Sequence, residues 1–492
     1  IIAPMLFNEL AFLLFFPVVV GLHFLLPHKH RWALLLGASY FFYMWWEPAY
    51  AVLIFSSTVV DYIAGLRMAG QPERRDRRIW LWLSLVVNLG LLFAFKYFNF
   101  FSRSLGSLFQ WFDQPYSVPD LDVLLPVGIS FYTFQTLSYT IDVYRGRLEP
   151  ERHFGRFALY VSFFPQLVAG PIERAGNLLP QFRVEHTLEP DNVRQGLFLM
   201  LFGMFKKVVI ADQLATIVAP VYANPELYSG PILVFATLCF AFQIYCDFSG
   251  YSDIAIGAAR VLGYRIMVNF HRPYAARNIG DFWGRWHISL STWFRDYVYL
   301  PLGGNRVKRT RWIANIMVVF LVSGMWHGAN WTFLVWGGLH GSYYLVQALW
   351  KPCRERCLGS IGLSPEGHVW SALALCLTFV SVCLAWVFFR ATDLSSAVTI
   401  LSGMTEGWGL LFEPEILRQQ MRSLVVSQYH LLAVVLALAY LQLIEFSHPG
   451  RHLEAEVCAR GRWVRWGLYL SLGLFILNLG AIEEVPFVYF QF

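Results

Sequence analysis

The sequence predicts an all-α polytopic membrane protein, and three observations predict it. Long apolar runs recur from one end to the other, the composition is far from that of a water-soluble domain, and the basic residues fall in short segments between the runs. Of 492 residues, 57% are hydrophobic, 17% aromatic and only 14% charged, with mean hydropathy +0.48. Soluble domains carry roughly 25% charged residues, so a domain count from length alone does not apply.

Apolar runs lie near 8–26, 32–47, 50–66, 79–97, 126–143, 157–171, 196–222, 231–264, 312–326, 329–350, 369–389, 427–446 and 466–482. A bilayer-spanning helix needs about 20 residues. Some of these runs are therefore half-spanning or re-entrant, and about eleven crossings are expected. The first run lacks a basic leader and a small-residue cleavage site, so it reads as a helix and not as a removed signal. Met5 followed by LFNELAFLLFF is the expected natural start, with residues 1–4 a cloning remnant. No transporter-type internal repeat and no low-complexity linker interrupts the chain. Residues 1–492 are expected to form one integral-membrane domain, with its core motif region at 231–350.

The basic loops set the orientation through the excess of Lys and Arg on the cytoplasmic side. Lys29 and Arg31, then Arg67 to Arg78, Arg145 to Arg156, Arg306 to Arg311, Lys351 to Arg356 and Arg451 to Arg465 fall on one side. The loop 98–125, with Asp113, Asp120 and Asp122, falls on the other, which puts the N-terminus outside the cytoplasm. The formal net charge of +6 is thus a topological signal, and no basic-aromatic nucleic-acid motif accompanies it. Arg311 and Lys351 share the cytoplasmic side with 39 residues between them. That stretch must cross outward and return, with the bend at His327-Gly328-Ala329-Asn330. Irregular backbone at membrane depth is tolerated only where it lines protein or a water-filled cavity, so His327 is expected to face a cavity in the outer half of the membrane.

The residues with chemical potential sit in three islands. Around the bend, His327 stands in MWHGAN. In 271–306, His287 stands in RWHIS among Trp283, Trp286, Trp293, Phe294, Tyr297 and Tyr299. Here Trp286, Leu290, Trp293 and Phe294 recur at helical spacing, so 281–297 is expected to be a short helix. Asp281 would meet Arg285, and His287 would meet Ser291, each four residues apart. In QIYCDFSGYSDIAIG, Asp247 and Asp253 lie with Tyr245, Ser249 and Tyr251 inside an apolar run. Carboxylates at depth pair or face a cavity. Arg285 and Arg295 are the candidate partners, and ion pairing and substrate contact remain equal alternatives. Lys206 and Lys207 can snorkel towards the interface. The seven cysteines are scattered, and Cys353 with Cys357 lacks the second pair that a metal site needs. Residues 391–426, carrying Glu406, Glu413, Glu415, Arg418 and Arg422, read as an extramembrane or interfacial segment.

Imidazole is the side chain best suited to moving a proton near neutral pH, and an ionisable group at membrane depth is a functional-site hypothesis by default. The plain alternative is that each histidine only hydrogen-bonds a neighbour. No nucleophile elbow, HExxH or phosphate loop is present. A histidine base in a dry aromatic setting suffices for acyl transfer from a thioester, whose carbonyl is already activated. Asn330, the Trp286 indole N–H and amides at the bend are candidate oxyanion donors.

RWHISLSTWFRDYVYLPLGGNR followed by MWHGANWTFLVWGGLHG resembles the signature of the membrane-bound O-acyltransferase family, in its bacterial branch containing alginate O-acetyltransferase. MLFNELAFLLFFP, LLPVGISFYTFQTLSYTIDVYRG, FFPQLVAGPI, QIYCDFSGYSDIAIG and PFVYFQF extend the similarity over nearly the whole chain. The resemblance implies a ring of helices around a central tunnel, His327 as the catalytic histidine and His287 as the second active-site position. Trp286, Ser291, Arg295, Asn330, Tyr245, Asp247 and Ser249 are the candidate tunnel or substrate contacts. It further implies acetyl-CoA as donor, no bound cofactor or metal, and a periplasmic SGNH-hydrolase-type acetyltransferase as partner. The acceptor would be an exported polysaccharide, and the location a bacterial inner membrane. D-alanyl transfer to teichoic acid and peptidoglycan O-acetylation are sister activities. A proton-coupled transporter or a membrane scaffold is the reading from a different class.

Overall fold

A computed structural model describes residues 5–71, 74–360, 364, 366–413, 415, 420, 424, 428–481 and 485–488. Among them, all regular structure is helical. The chain divides into two compact units, residues 1–200 with 251–267 and residues 201–250 with 268–492. Five described helices are long and apolar enough to cross a membrane: Pro48–Ala69, Arg75–Trp111, Gly230–Val261, His368–Arg390 and Tyr429–Ser447. Length and composition thus account for five of the expected eleven crossings, and the other apolar helices are shorter or more polar.

The first unit contains α1 (Leu10–Leu25), α2 (His28–Met44), α3 (Ala51–Ala69), α4 (Arg74–Leu92), α5 (Phe98–Trp111) and α6 (Ile129–Tyr144). After them come α7 (Phe154–Ser162), α8 (Phe164–Leu167), α9 (Ala175–Gln181) and most of α10 (Pro190–Met204). Helix α1 is apolar all round, so it buries Phe12, Phe16 and Val19 while leaving Leu14, Val18 and Leu25 exposed. A helix of that kind suits a lipid-facing position. Its polar counterpart is a hydrogen-bonded cluster joining α3, α4 and α6. The buried Asp61 carboxylate accepts from Ser84 at 2.5 Å, from Asn88 at 2.9 and 3.0 Å and from Thr140 at 3.3 Å. With no water at membrane depth, such neutral donors keep a carboxylate satisfied and tie helices together.

In this unit one of the apolar runs is too short to span, and one loop boundary differs from the expected one. The apolar run 157–171 does not cross, because α7 has nine residues and α8 four, with Pro165 in its first turn. Phe157, Leu159, Tyr160, Val161, Phe163 and Phe164 are fully buried, and apolarity alone does not separate such an internal element from a lipid-facing one. The loop expected from residue 98 begins instead after Trp111, since a π-helical turn at Phe93–Tyr97 carries α4 into α5.

The second unit takes the end of α10, a π-helical stretch Phe205–Ala211, α11 (Asp212–Ala223) and most of α12 (Gly230–Val261). It continues with α13 (Ile279–Trp283), α14 (Ile288–Phe294), α15 (Arg309–His327), α16 (Trp331–Ser360), α17 (His368–Arg390) and α18 (Leu394–Gly403). Helices α19 (Gln428–Ser447), α20 (Leu453–Cys458) and α21 (Arg462–Leu479) complete it. The apolar stretch of α12 is 78% buried, against 17% for Arg75–Trp111, so α12 is an interior helix despite its length. Helix α17 is two-faced: Leu373, Leu377, Val380 and Leu384 point outward, while Thr378, Val382, Trp386 and Phe389 are buried.

Of the segment 391–426, α18 follows Asp393, whose side chain caps it by accepting from the Ser396 amide at 2.8 Å. The Gly230 amide donates to the Glu406 carbonyl at 3.2 Å, tying this segment to the start of α12. Arg418 and Arg422 lie outside the described residues, as do residues 1–4 and the last four residues of the PFVYFQF motif.

The bend expected at 327–330 is where α15 ends and α16 begins. These two helices approach closely because glycines remove the side chains between them, as small residues do in membrane helix pairs. A Cβ at Gly324 would overlap the Phe333 carbonyl, and one at Gly337 would overlap the Phe320 carbonyl. Gly328 contributes room and not a kink: its backbone is extended at φ −158°, and a Cβ there would strike the Phe333 ring. Gly337→Leu is expected to lower the melting temperature by several degrees or abolish monodisperse elution in detergent. Gly338→Leu, whose Cβ would meet only a Leu321 methyl at 3.8 Å, is expected to be tolerated in the same assay.

Candidate active site

The expected helix 281–297 is two helices, α13 and α14, and His287 stands at their junction. Its backbone is left-handed, φ 43° and ψ 54°, a conformation that costs a non-glycine residue of order 1 kcal/mol or more and persists only where surroundings impose it. Three contacts impose it here. The Ile288 amide donates to the Asn269 carbonyl at 2.9 Å. The Asn269 side-chain oxygen accepts from the Ser289 hydroxyl at 2.9 Å and from His287 Nδ1 at 3.2 Å. An amide oxygen only accepts, so Nδ1 carries the proton and Nε2 is the unprotonated ring nitrogen. Asn269 thus sets both the position and the tautomer of His287. Sequence reasoning missed it, since an asparagine 18 residues upstream carries no local signal.

His327, the last residue of α15, is buried, as is His287. Their ring centroids are 6.3 Å apart. The walls are aromatic. Phe248 lies 4.7 Å from His287 and Trp326 lies 5.8 Å from it, while Trp336 and Phe389 lie 5.0 and 5.4 Å from His327. None of these neighbours is charged. In such low-dielectric surroundings a dipole or N–H aimed at a developing charge counts far more than in water.

The remaining sequence candidates fall into three groups. Trp286 is fully buried beside the pair, and its indole Nε1 has no hydrogen-bond partner among the described residues. It touches Phe270 at 5.1 Å and Tyr245 at 6.3 Å. Ser249, next to Phe248 on α12, is buried and likewise without a hydroxyl partner among the described residues. Trp286 is the chain neighbour of His287, and Ser249 that of Phe248, whose ring lies 4.7 Å from His287.

Tyr245, Asp247 and Asn330 hold structure. Tyr245 donates to Glu445 at 2.5 Å. Asp247 does not pair with Arg285 or Arg295; it meets Lys207 Nζ at 2.8 Å and accepts from the Val488 amide at 2.7 Å. Lys207 also meets Asp212 at 2.8 Å and donates to the Val485 carbonyl at 3.0 Å, so it is a buried cross-link and does not snorkel. Lys206 is buried too, over the rings of Phe202 and Tyr245. Asn330 donates to the Thr392 carbonyl at 2.8 Å and accepts from the Thr332 amide at 3.0 Å, which ties the bend to the end of α17.

Ser291 and Arg295 point elsewhere. The Ser291 hydroxyl donates to the Trp286 carbonyl at 3.3 Å and not to His287, because α14 begins only at Ile288. Arg295 pairs with Asp296 at 2.8 Å near the surface. Arg285 meets Asp281 at 2.7 Å, the pair expected from their spacing.

The model of the membrane-bound O-acyltransferase family matches residues 152–359, which contain both histidines and the α15–α16 hairpin. A probable alginate O-acetylase AlgI of Azotobacter vinelandii is 37% identical over 99% of this chain and 100% of its own. The chain belongs to the membrane-bound O-acyltransferase family. It is a multi-pass membrane acyltransferase, which sets aside the transporter and scaffold readings. A probable alginate O-acetylase AlgI of Pseudomonas aeruginosa is 40% identical over 92% of this chain and 85% of its own. A peptidoglycan O-acetyltransferase of Helicobacter pylori is 37% identical over 75% of this chain and 72% of its own.

Asn269→Leu removes the acceptor that fixes the His287 tautomer. It is expected to lower the rate of thiol release from a thioester donor by about tenfold or more, a part of the 10²–10⁴ that a positioned base supplies. Asn269→Asp, which keeps an acceptor oxygen, is expected to retain more activity, measured on protein that elutes as wild type.

Proposed function

We propose that this acyltransferase takes an acetyl group from acetyl-CoA on the cytoplasmic side and passes it outward across a bacterial inner membrane. The acetyl group serves O-acetylation of an exported polysaccharide such as alginate, through a periplasmic SGNH-hydrolase-type acetyltransferase. The observation that carries this reading is the buried imidazole pair, 6.3 Å apart at the bend between α15 and α16. Similarity to alginate O-acetylases over the full chain supports the acceptor class. The Helicobacter relative, named for another acceptor, supports an acetyl cargo.

In this proposal His327 accepts the proton of the attacking hydroxyl as its oxygen bonds to the thioester carbon. The tetrahedral oxyanion is held by N–H donors, for which the indoles of Trp286 and of Trp336, the latter 5.0 Å from His327, are candidates. The carbon–sulfur bond then breaks, and the leaving thiolate takes the proton from the imidazolium. The products are one ester and one free thiol. His287 occupies the second active-site position, its ring 6.3 Å from that of His327. A positioned base contributes typically 10²–10⁴-fold, and an oxyanion donor another 10²–10³. Enclosure in aromatic rings keeps water from competing for the activated acyl group.

The test is acetyl-CoA turnover by purified protein in nanodiscs, read as free thiol. His327→Ala is expected to fall by at least about 10²-fold while eluting as wild type. A wild type that releases no thiol even with a periplasmic partner, or a fully active His327→Ala, overturns the proposal.

A further inference from the structure

The C-terminal end of α17 carries a cation without an anion. Arg390 is the last residue of that helix, one position past Phe389, whose ring lies 5.4 Å from His327. It is half-buried, and among the described residues no hydrogen bond or ion pair engages its guanidinium. The guanidinium carbon lies 5.7 Å from the ring of Tyr222 on α11, whose own hydroxyl is engaged by Thr237 at 2.9 Å. Asp393, the nearest carboxylate in sequence, is committed to α18. It accepts from the Ser396 amide, the Ser396 hydroxyl and the Thr392 hydroxyl. An aromatic face attracts a cation, but it answers none of the N–H donors that a guanidinium presents in its rigid fork. A cation at the helix C-terminus also suits the helix dipole, which again asks nothing of the fork. Snorkelling to lipid headgroups does not fit the helix face. Arg390 follows Cys383 by seven residues and Trp386 by four, so it continues the buried face of α17 and not the outward face of Leu373, Leu377, Val380 and Leu384. The bend lies alongside, because Asn330 donates to the Thr392 carbonyl at 2.8 Å. Trp331, next to Asn330, is 53% exposed. Arg390 and Trp331 thus both stand within two residues of that bond. A guanidinium fork matches a carboxylate, and an exposed indole offers a flat apolar face. Together they suit an acidic sugar.

We propose that Arg390 and Trp331 form a docking point for an exported polyuronate strand, in which the Arg390 fork binds the carboxylate of one uronic acid residue. This rests on the polysaccharide acceptor of the proposed function and narrows its class. A neutral glucan gives the fork nothing to bind, whereas a polyuronate offers a carboxylate on every sugar. Position favours it. The orientation argued from the basic loops puts Lys351 to Arg356 in the cytoplasm. Helix α17 is long and apolar enough to cross, and so carries Arg390 to the opposite side. There it stands at the end of the helix whose Phe389 walls His327. Arg390 is a specificity residue in this account: it tethers the strand and does not touch the reacting atoms.

The experiment measures binding of a fluorescently labelled oligouronate, and of its carboxyl-reduced neutral counterpart, to the full chain in phosphatidylcholine nanodiscs. No thioester is present, so a failure of the donor chemistry leaves this measurement untouched, and a failure here leaves that chemistry standing. Wild type is expected to prefer the charged oligomer by about tenfold, the worth of a charge-assisted hydrogen bond, and the preference should shrink as salt is raised. Arg390→Met is expected to abolish the preference. Arg390→Lys keeps the charge without the fork and should recover part of it. Trp331→Ala should weaken both oligomers alike, since an indole face does not distinguish a carboxylate from a hydroxymethyl group. Equal wild-type affinity for the two oligomers overturns the proposal, and that comparison needs no variant to fold. No binding of either oligomer overturns it as well and leaves an acidic group of a partner protein as the occupant. An undiminished preference in Arg390→Met, on protein that elutes as wild type, marks the arginine as structural and overturns it too.

Discussion

A polar group at membrane depth has no water to turn to, and this constraint shapes both units of the chain. Each buried polar side chain must find its partner inside the protein or be held for a substrate. Asp61 is satisfied by neutral donors from two neighbouring helices. Lys207 is satisfied by two carboxylates and a carbonyl near the end of the chain. Removing one member of such a set strands the others, which is why buried ion pairs tolerate deletion of a single partner poorly. The polar groups around the two histidines obey the constraint differently. Asn269 satisfies one nitrogen of His287 and fixes which nitrogen carries the proton. The indoles of Trp286 and Trp336 and the ring of His340 are enclosed with no hydrogen-bond partner among the described residues.

Aromatic packing and glycine contacts make that arrangement rigid. His327 ends one helix, and the following bend is fixed by Asn330 on the Thr392 carbonyl. The returning helix lies close because Gly324 and Gly337 leave room for carbonyl oxygens. His287 is held in a left-handed conformation by the Asn269 contacts. Two imidazoles from separate segments thereby meet, walled by the rings of Phe248, Trp326, Trp336 and Phe389.

Much of this was legible in the sequence wherever local length and charge decide the outcome. The bend at 327–330 followed from 39 residues lying between Arg311 and Lys351, basic groups expected on one side of the membrane, and the helices break there. The interior of α12 was marked by its polar island. Legibility stopped where a distant residue decides. Lys207, 40 residues before Asp247, was read as snorkelling because nothing near it names its partners. The helix 281–297 was read as continuous because helical spacing of Trp286, Leu290 and Trp293 says nothing of a left-handed φ at His287, which Asn269 imposes from outside the segment. The sequence does not say which apolar runs fall short of crossing, as 157–171 does, because apolarity is the same for a helix in lipid and one in the protein interior.

The central claim is that His287 and His327 act as one unit on the acyl group. A double-mutant cycle on acetyl-CoA turnover tests it most directly, with His287→Ala, His327→Ala and the combined variant measured beside wild type on correctly eluting protein. If the two imidazoles serve one step, the combined variant is expected to be little slower than the slower single variant, because residues acting together are strongly non-additive. Losses that multiply, as for independent sites, would contradict the account.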